Sequence, residues 1–235
     1  MNTELYRETA TARRDTYAFL ARMFREEVDQ PLLVGLKQLS FGGLNDEDDF
    51  SQGMGLLASY LRQAGFDART DLAVDYAQVF LGIGSRDGRA AHPYESVYTS
   101  SEHLMMQDAH DAMTSLLRSK NLERRPRGAG GAEYLARALG ANTEPADHVA
   151  LEFDYMGWLI EEGFEAVCSG SSQEAMASVR EQRAFLREHL LNWVPALCED
   201  IEERTATDFY RGVARMAAAY LASDNELLEE LSREE

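Results

Sequence analysis

Apolar residues recur along most of the chain at intervals of three and four positions, with polar residues between them. Leu5, Tyr17, Leu20, Phe24 and Val28 begin this pattern and fall near one face of a helix. The sequence contains no extended alternation of β-branched residues and no Asn-Gly hairpin turn. The pattern therefore predicts an all-α protein, folded as one helical globule.

Turn and capping signals divide this pattern into about ten helices. Pro31 suits the first turn of a second helix, and Gly42 and Gly43 are predicted to end it. Thr143 or Asp147 is predicted to cap the helix that carries the apolar run after residue 148. The other predicted helices cover residues 46–65, Thr70 or Asp71 to residue 81, 101–120, 132–139 and 172–191, and two or three more follow Trp193 and Pro195.

One segment interrupts the helical pattern more clearly than any other. Residues 121–131 are charged, then contain a proline, and then become rich in glycine, as linkers do. Arg124, Arg125 and Arg127 make this segment a local basic spot, which we interpret as a solvated loop. The sequence thus predicts a first helical part over 1–120, a linker and hinge over 121–146, and a second helical part over 147–235.

Composition narrows the possible functions. Of 235 residues, 45% are apolar, 41 are acidic and 23 are basic, and the net charge is -18. Nucleic acid is therefore not an expected partner, because phosphate binding requires a basic face. The two cysteines, Cys168 and Cys198, have no CxxC spacing and give no disulfide framework, which fits a reducing compartment. No apolar run approaches the ~18 residues of a membrane span.

Arg13-Arg14 near the start imitates a twin-arginine export signal. Such a signal continues with an uncharged apolar stretch. Here Arg22, Arg25 and Glu26 follow at helical spacing. We therefore predict a first helix at this position and a cytoplasmic protein.

The common enzyme motifs are missing from the sequence. HExxH, GxxxxGK[ST] and GxSxG do not occur, and no histidine has a glutamate three positions before it. Gly82-Ile83-Gly84 begins like a dinucleotide fingerprint, but it follows a predicted helix rather than a strand. We predict neither an enzyme nor a cofactor or resident metal.

Two groups of residues remain that carry chemistry. Glu144, Asp147, His148 and Glu152 are compatible with a metal site, with a general acid–base pair, or with a capped helix start that ties a loop to the body. The first two alternatives correspond to a small helical enzyme that uses His148 with Glu144 or Glu152.

The second group is aromatic and lies around a proline: Phe80, Pro93, Tyr94 and Tyr98, with Glu95 between the tyrosines. These rings are either core residues or the edge of an apolar groove. Such an edge suits an amphipathic peptide that carries arginines.

Four short segments resemble the TorD/DmsD-type family of cytoplasmic chaperones, which mature molybdenum-cofactor reductases. They are DYAQVFLG at 75–82, PYESVY at 93–98, EPADH at 144–148 leading into LEFDYM at 151–156, and FLREHL at 185–190 followed by Trp193 and Pro195. Together they span about half of the chain. The chain departs from the family pattern at residues 121–143, which look longer and richer in glycine. It also carries Tyr76 and Tyr94 where some relatives carry tryptophan.

The resemblance implies a two-part helical fold with a hinge at Glu144 and Pro145. It also implies binding of the twin-arginine signal peptide and of the unfinished catalytic subunit, so that export waits for cofactor insertion. The implied peptide-binding positions are Tyr76, Phe80, Pro93, Tyr94, Tyr98, Asp147 and His148. Asp147 is the expected partner of a client arginine, and His148 is expected to tune the contact with pH.

The resemblance leaves three points open. Family members occur as monomers or as homodimers that swap halves, and weak binding of guanine nucleotide has been proposed for some. The alternative within the family is a chaperone of the NarJ type, which assembles a molybdoenzyme that is not exported.

Overall fold

The computed structural model describes residues 2–39, 48–85, 88–122 and 144–233. In these ranges it contains ten α-helices, and the one β interaction is an isolated bridge. The prediction of an all-α fold is confirmed. The helices are α1 Thr3–Arg25, α2 Gln30–Gln38, α3 Asp49–Gln63, α4 Ala68–Leu81, α5 Glu95–Thr99, α6 Asp108–Ser119, α7 Val149–Cys168, α8 Ser172–Phe185, α9 Val194–Arg204 and α10 Asp208–Leu231.

The chain folds into two compact units, each made of separated segments. The first unit comprises Met1–Phe24, Tyr94–Trp193 and Leu221–Glu235, and the second comprises Arg25–Pro93 and Val194–Tyr220. The predicted division at residues 121–146 stays a prediction, because residues 123–143 lie outside the described ranges. The predicted helix over 132–139 and the arginines at 124, 125 and 127 lie outside them as well.

Helix α7 forms the centre of the first unit. Every residue from Val149 to Ile160 is buried, as expected for a helix that is apolar on most of its faces. The rings of Tyr17 and Phe24 in α1 lie 5.9 and 5.8 Å from the ring of Phe153. The Tyr6 hydroxyl donates to the Ile160 carbonyl oxygen at 2.8 Å. Helix α1 is therefore part of this core.

A buried ion pair reinforces the same packing. Arg13 is 3% exposed, and its Nε donates to Asp224 Oδ1 at 2.6 Å. The Tyr17 hydroxyl donates to Asp224 Oδ2 at 2.8 Å, and Arg13 also donates to Gln182. The Arg13-Arg14 pair thus lies within a helix, as predicted.

The second unit contains its own aromatic core. The rings of Tyr76 and Phe80 in α4 lie 6.0 and 5.8 Å from the ring of Tyr210 in α10. Asp75, which is 2% exposed, accepts hydrogen bonds from the Thr205 hydroxyl and from the Thr207 backbone N–H. The first residue of the DYAQVFLG segment therefore secures the start of α10.

Several predicted helix limits are wrong. Helix α4 begins at Ala68 after the N-cap Asp67, not at Thr70 or Asp71. Helix α2 ends at Gln38, before Gly42 and Gly43, which lie outside the described residues.

The predicted helices over 101–120 and 172–191 are also divided differently. A loop over 100–107 separates α5 from α6, and a π-helical turn over 186–190 follows α8. His103 and Met106 have positive φ angles in this loop, which a helix does not allow.

Within the part of the chain that the structure describes, none of the helices combines the length and the apolar character that a membrane crossing requires.

Candidate functional site

Two helix starts lie side by side in the first unit. Tyr94, the N-cap of α5, and His148, the N-cap of α7, both have extended backbone and form the isolated antiparallel bridge. The Glu95 backbone N–H donates to the Asp147 carbonyl oxygen at 2.9 Å. Because the first N–H groups of a helix find no partner inside it, this arrangement brings donors from two helices to one place.

Asp147 supplies an acceptor to the neighbouring helix rather than to its own. Its Oδ2 accepts from the Ser96 backbone N–H at 3.1 Å and from the Ser96 hydroxyl. His148 caps α7 itself, since its Nδ1 accepts from the Ala150 backbone N–H at 3.1 Å. The prediction of Asp147 as the α7 cap is therefore wrong, and Thr143, its alternative, lies outside the described residues. The structural alternative of a capped helix start is observed, with His148 as the cap.

A polar cluster adjoins these helix starts. We use this name for the side chains of Glu95, Ser96, Asp147, Glu152, His189, Asn192 and Trp193. Glu95 is 3% exposed, and Asp147 and Glu152 are fully buried. His189 Nδ1 lies 2.9 Å from Glu95 Oε2, and Asn192 donates to Glu95 Oε1 at 2.9 Å. Three carboxyl groups thus share a small volume from which water is excluded.

The π-helical turn brings the last members into the cluster. The Leu191 N–H donates to the Leu186 carbonyl oxygen at 2.8 Å, which closes one wide turn. Such turns are frequent at functional sites, because the extra residue redirects the side chains that follow. Trp193 Nε1 donates to Glu152 Oε2 at 3.1 Å and to the His189 carbonyl oxygen at 2.6 Å. The FLREHL segment and its tryptophan therefore end in direct contact with the LEF segment.

Glu152 has the most perturbed environment in the cluster. Burial raises its pKa well above the usual glutamate value, and the neighbouring carboxylate of Glu95 raises it further. The hydrogen bond from Trp193 opposes this shift, and Asp147 adds to it. Glu152 Oε1 has no donor among the described residues. A proton on Glu152 Oε1, directed at Glu95, would give this oxygen a hydrogen-bond partner.

The same cluster has the donor types of a metal site. One ligand atom each from Glu95, Glu152 and His189 lie within 4.8 Å of one another. Two carboxylates and an imidazole are suitable ligands for a divalent cation. Glu95 already receives a hydrogen bond on each oxygen from Asn192 and His189, so a metal ion would have to replace at least one of these bonds. The metal site that the sequence offered as an alternative consists of Glu144, Asp147, His148 and Glu152. It shares only Glu152 with this set.

The predicted peptide-binding residues are divided between the two units. Tyr94, Tyr98, Asp147 and His148 lie in the first unit, and Tyr76, Phe80 and Pro93 lie in the second. Tyr94 and Tyr98 are half-exposed, whereas the other five side chains are buried. The hinge residue Glu144 is exposed and accepts a hydrogen bond from the Tyr94 hydroxyl, and Pro145 is half-buried.

Sequence reasoning missed the roles of Glu95, His189 and Asn192. Glu95 was noted only as the residue between two tyrosines, and His189 only as part of a family segment. The available signal in the sequence was the presence of Glu95 in the PYES segment and of His189 four positions before Trp193. No local pattern, however, indicates that Glu95 is the partner of His189 and Asn192, which lie 94 and 97 positions further along the chain.

Comparison with known proteins agrees with these segments. The model of the family described as nitrate reductase delta subunit matches residues 47–199. The chain is similar to the chaperone protein TorD of Vibrio cholerae serotype O1, with 28% identity over 94% of each chain. It is also similar to the chaperone protein TorD of Aliivibrio salmonicida, with 26% identity over 92% of this chain and 94% of that one. With the TorD of Aliivibrio fischeri the identity is 31%, over 69% of this chain and 66% of that one.

Proposed function

Because the chain belongs to the nitrate reductase delta subunit family of TorD-type chaperones, we propose that it is a maturation chaperone for a molybdenum-cofactor oxidoreductase. In this proposal it works in the cytoplasm and binds the twin-arginine signal peptide and the apo catalytic subunit of its client. It catalyses no reaction. Its service is to delay export until the cofactor has been inserted.

One observation supports this proposal most directly. The PYESVY, EPADH and FLREHL segments, far apart in the sequence, contribute neighbouring side chains to the polar cluster. The cluster is buried, yet the helix that it secures, α5, has half-exposed tyrosines at each end. A buried, hydrogen-bonded interior that holds aromatic rings at the surface is suited to binding a partner rather than to chemistry.

The surface around α5 offers the contacts that a signal peptide needs. Tyr94 and Tyr98 supply aromatic rings, and the exposed carboxylate of Glu144 lies beside the Tyr94 hydroxyl. The loop that follows α5 exposes three consecutive apolar side chains: Leu104 by 56%, Met105 by 40% and Met106 by 59%. Methionine adapts to varied apolar partners, so this loop suits the apolar stretch of a leader.

The buried residues have an indirect part in this proposal. The Tyr94 ring packs edge-on against the His148 ring, with centroids 5.1 Å apart, and Asp147 holds the first turn of α5. Both therefore position the tyrosines. Direct contact between Asp147 and a client arginine remains a prediction, and it requires the first turn of α5 to move away.

Calorimetry with a synthetic leader peptide of a molybdoenzyme from the same organism tests the proposal. We expect roughly micromolar affinity, because the peptide loses conformational entropy when it becomes ordered. Replacing both Tyr94 and Tyr98 with alanine should weaken binding by at least about tenfold, since aromatic anchors dominate such interfaces. Tyr220→Ala, at a half-exposed tyrosine of the second unit, is the matched control. A folded double variant with unchanged affinity contradicts the proposed site.

The description of the matched family favours a second candidate function. A chaperone of the NarJ type assembles a molybdoenzyme that is not exported, and the matched model carries the name of a nitrate reductase subunit. The two candidates differ in the client, which has a twin-arginine leader in one case and none in the other. Affinity purification from the native organism, followed by mass spectrometry, identifies the client and decides between them.

A further inference from the structure

An open groove of about 490 Å³ in the first unit is lined by α7, α8 and Lys120, the C-cap of α6. The acidic residues of this lining are Glu162 and Glu165 of α7 and Glu174 and Glu181 of α8. With Lys120 as its one described cation, four glutamates and one lysine give the lining a net charge of -3. This groove contains none of the residues predicted to bind peptide.

Helical spacing explains why these carboxylates face a common space. Trp158, Glu162 and Glu165 are separated by four and three positions, so they follow one face of α7. Glu174 and Glu181 are seven positions apart on α8, which is two turns. Between the acidic residues the lining side chains are small, which keeps the groove open: Ala166, Ser169, Ala177 and Ser178.

Trp158 gives the groove a second type of contact. The residue is 6% exposed, and its Nε1 has no hydrogen-bond partner among the described residues. A buried indole N–H without an acceptor is costly, so a ligand whose carbonyl oxygen reaches this nitrogen when the Lys120 side chain moves away would relieve that cost. A polypeptide backbone is such a ligand.

The chain itself shows that this groove accommodates a cation. Lys120 Nζ lies 5.6 Å from the centroid of the Trp158 ring and 2.6 Å from Glu181 Oε1. The ammonium group therefore combines a cation–π contact with an ion pair. Glu165 and Glu174, in contrast, are exposed and have no ion pair with a described residue. The groove thus retains negative charge beyond what its own lysine neutralises.

We propose that this groove binds a short, arginine-bearing segment of the client polypeptide, which makes the inference depend on the proposed function. One guanidinium takes the place of Lys120 over Trp158, and others pair with Glu165 and Glu174. Arginine suits this surface better than lysine, because its planar guanidinium stacks on aromatic rings and binds carboxylates with two N–H groups. The lining of α7 from Trp158 to Ser169 extends over about 16 Å at 1.5 Å per residue. That length accommodates about five residues of extended chain.

Two variants of this groove are expected to change the affinity for the leader peptide in opposite directions. Glu165→Gln with Glu174→Gln removes two exposed charges and should weaken binding of the arginine-bearing leader peptide about three- to twentyfold at low salt. Lys120→Met removes the internal competitor for Trp158 and Glu181, and should tighten binding about two- to fivefold. Glu226→Gln with Glu230→Gln, at exposed positions of α10 in the same unit, is the charge-matched control and should change nothing.

The experiment is calorimetry with the full chain, in buffer containing a chelator, using the leader peptide and a version with citrulline in place of arginine. Citrulline keeps the shape of arginine without its charge, so the citrulline peptide should bind more weakly to the wild type and be insensitive to the Glu165/Glu174 change. In NMR spectra the arginine peptide should shift the indole N–H signal of Trp158, which lines the groove, and not that of Trp193, which does not.

The outcomes separate this inference from the proposed function. Normal leader affinity in the Glu165/Glu174 variant, or equal binding of both peptides, overturns the groove assignment. If the Tyr94/Tyr98 variant binds the leader peptide more weakly at the same time, the proposed function stands without the groove. If the wild type binds no leader peptide at all, recognition of the leader itself is refuted.

Discussion

Replacement of Glu152 by glutamine is expected to change the pH dependence of stability in a defined direction. Glutamine has nearly the same shape and stays neutral. Its amide can accept from Trp193 and donate to Glu95, as a protonated Glu152 would. The substitution therefore fixes the side chain in the state that its buried surroundings favour.

The magnitude follows from proton linkage. The folded-state pKa of Glu152 is raised by burial, by Glu95 and by Asp147, so the folded protein holds its proton to a higher pH than the unfolded chain does. The contribution of Glu152 to the free energy of unfolding is fully present below its unfolded-state pKa of about 4.3. It is lost as the pH rises toward the folded-state pKa. The loss is about 1.4 kcal/mol per pH unit across that window. The glutamine variant has no such loss, because it has no proton to release.

Urea denaturation followed by tryptophan fluorescence measures this effect. Trp158 and Trp193, the two tryptophans of the chain, both lie in the first unit, so their emission reports on the unit that contains Glu152. The two proteins should be similarly stable near pH 4.5. Above that pH the variant should gain on the wild type by about 1.4 kcal/mol per pH unit, until the pH reaches the folded-state pKa of Glu152.

A matched control separates this effect from the general titration of the protein. Glu165→Gln removes an exposed carboxylate from the same helix, and its pH profile of stability is recorded alongside as the reference. Parallel pH profiles for the wild type and the Glu152 variant would refute the reasoning. They would mean that Glu152 is ionised in the folded state and that a nearby positive charge compensates it.

Three further predictions concern other buried groups. Asp75→Ala leaves the donors at the start of α10 without their acceptor. It should lower the free energy of unfolding, measured by urea titration, by about 2–4 kcal/mol. A change below about 0.5 kcal/mol would contradict the role of Asp75. Arg13→Met should cost about 3–5 kcal/mol because Asp224 stays buried without its partner, and adding Asp224→Leu should recover much of that loss; additive losses in the double variant would argue against a coupled pair. Burial raises the pKa of Cys198 to about 12, whereas Cys168 is exposed, so a thiol reagent should modify one cysteine in the native protein and two in urea. Rapid modification of both would show that the second unit opens readily.

Local signals in the sequence were sufficient for much of the fold. The charged residues after Arg14 predicted a helix rather than an export signal, and α1 is such a helix. Gly82 ends α4 in the left-handed conformation that glycine adopts without strain. These features depend on neighbours within a few positions, which is why pattern and capping rules find them.

The errors have a common physical origin in contacts between distant segments. Residues 100–107 have a helical pattern, but the Gln107 N–H donates to the Ser96 hydroxyl, and His103 and Met106 take positive φ angles. Asp147 looks like the cap of its own helix, but Ser96 of another segment takes its carboxylate. The composition of the polar cluster could not be predicted for the same reason.

The link between Arg13 and Asp224 has a consequence for biosynthesis. The two residues are 211 positions apart, so at 5–20 residues per second the ribosome needs roughly 10–40 s after making the cation to deliver its counter-ion. During that interval α1 has emerged, but Arg13 has no counter-ion. The tyrosines of α1 that face the core also lack part of the packing that will bury them. A protein proposed to guard an unfinished enzyme therefore passes through an unfinished state of its own, in which general chaperones of the cell would be expected to hold it.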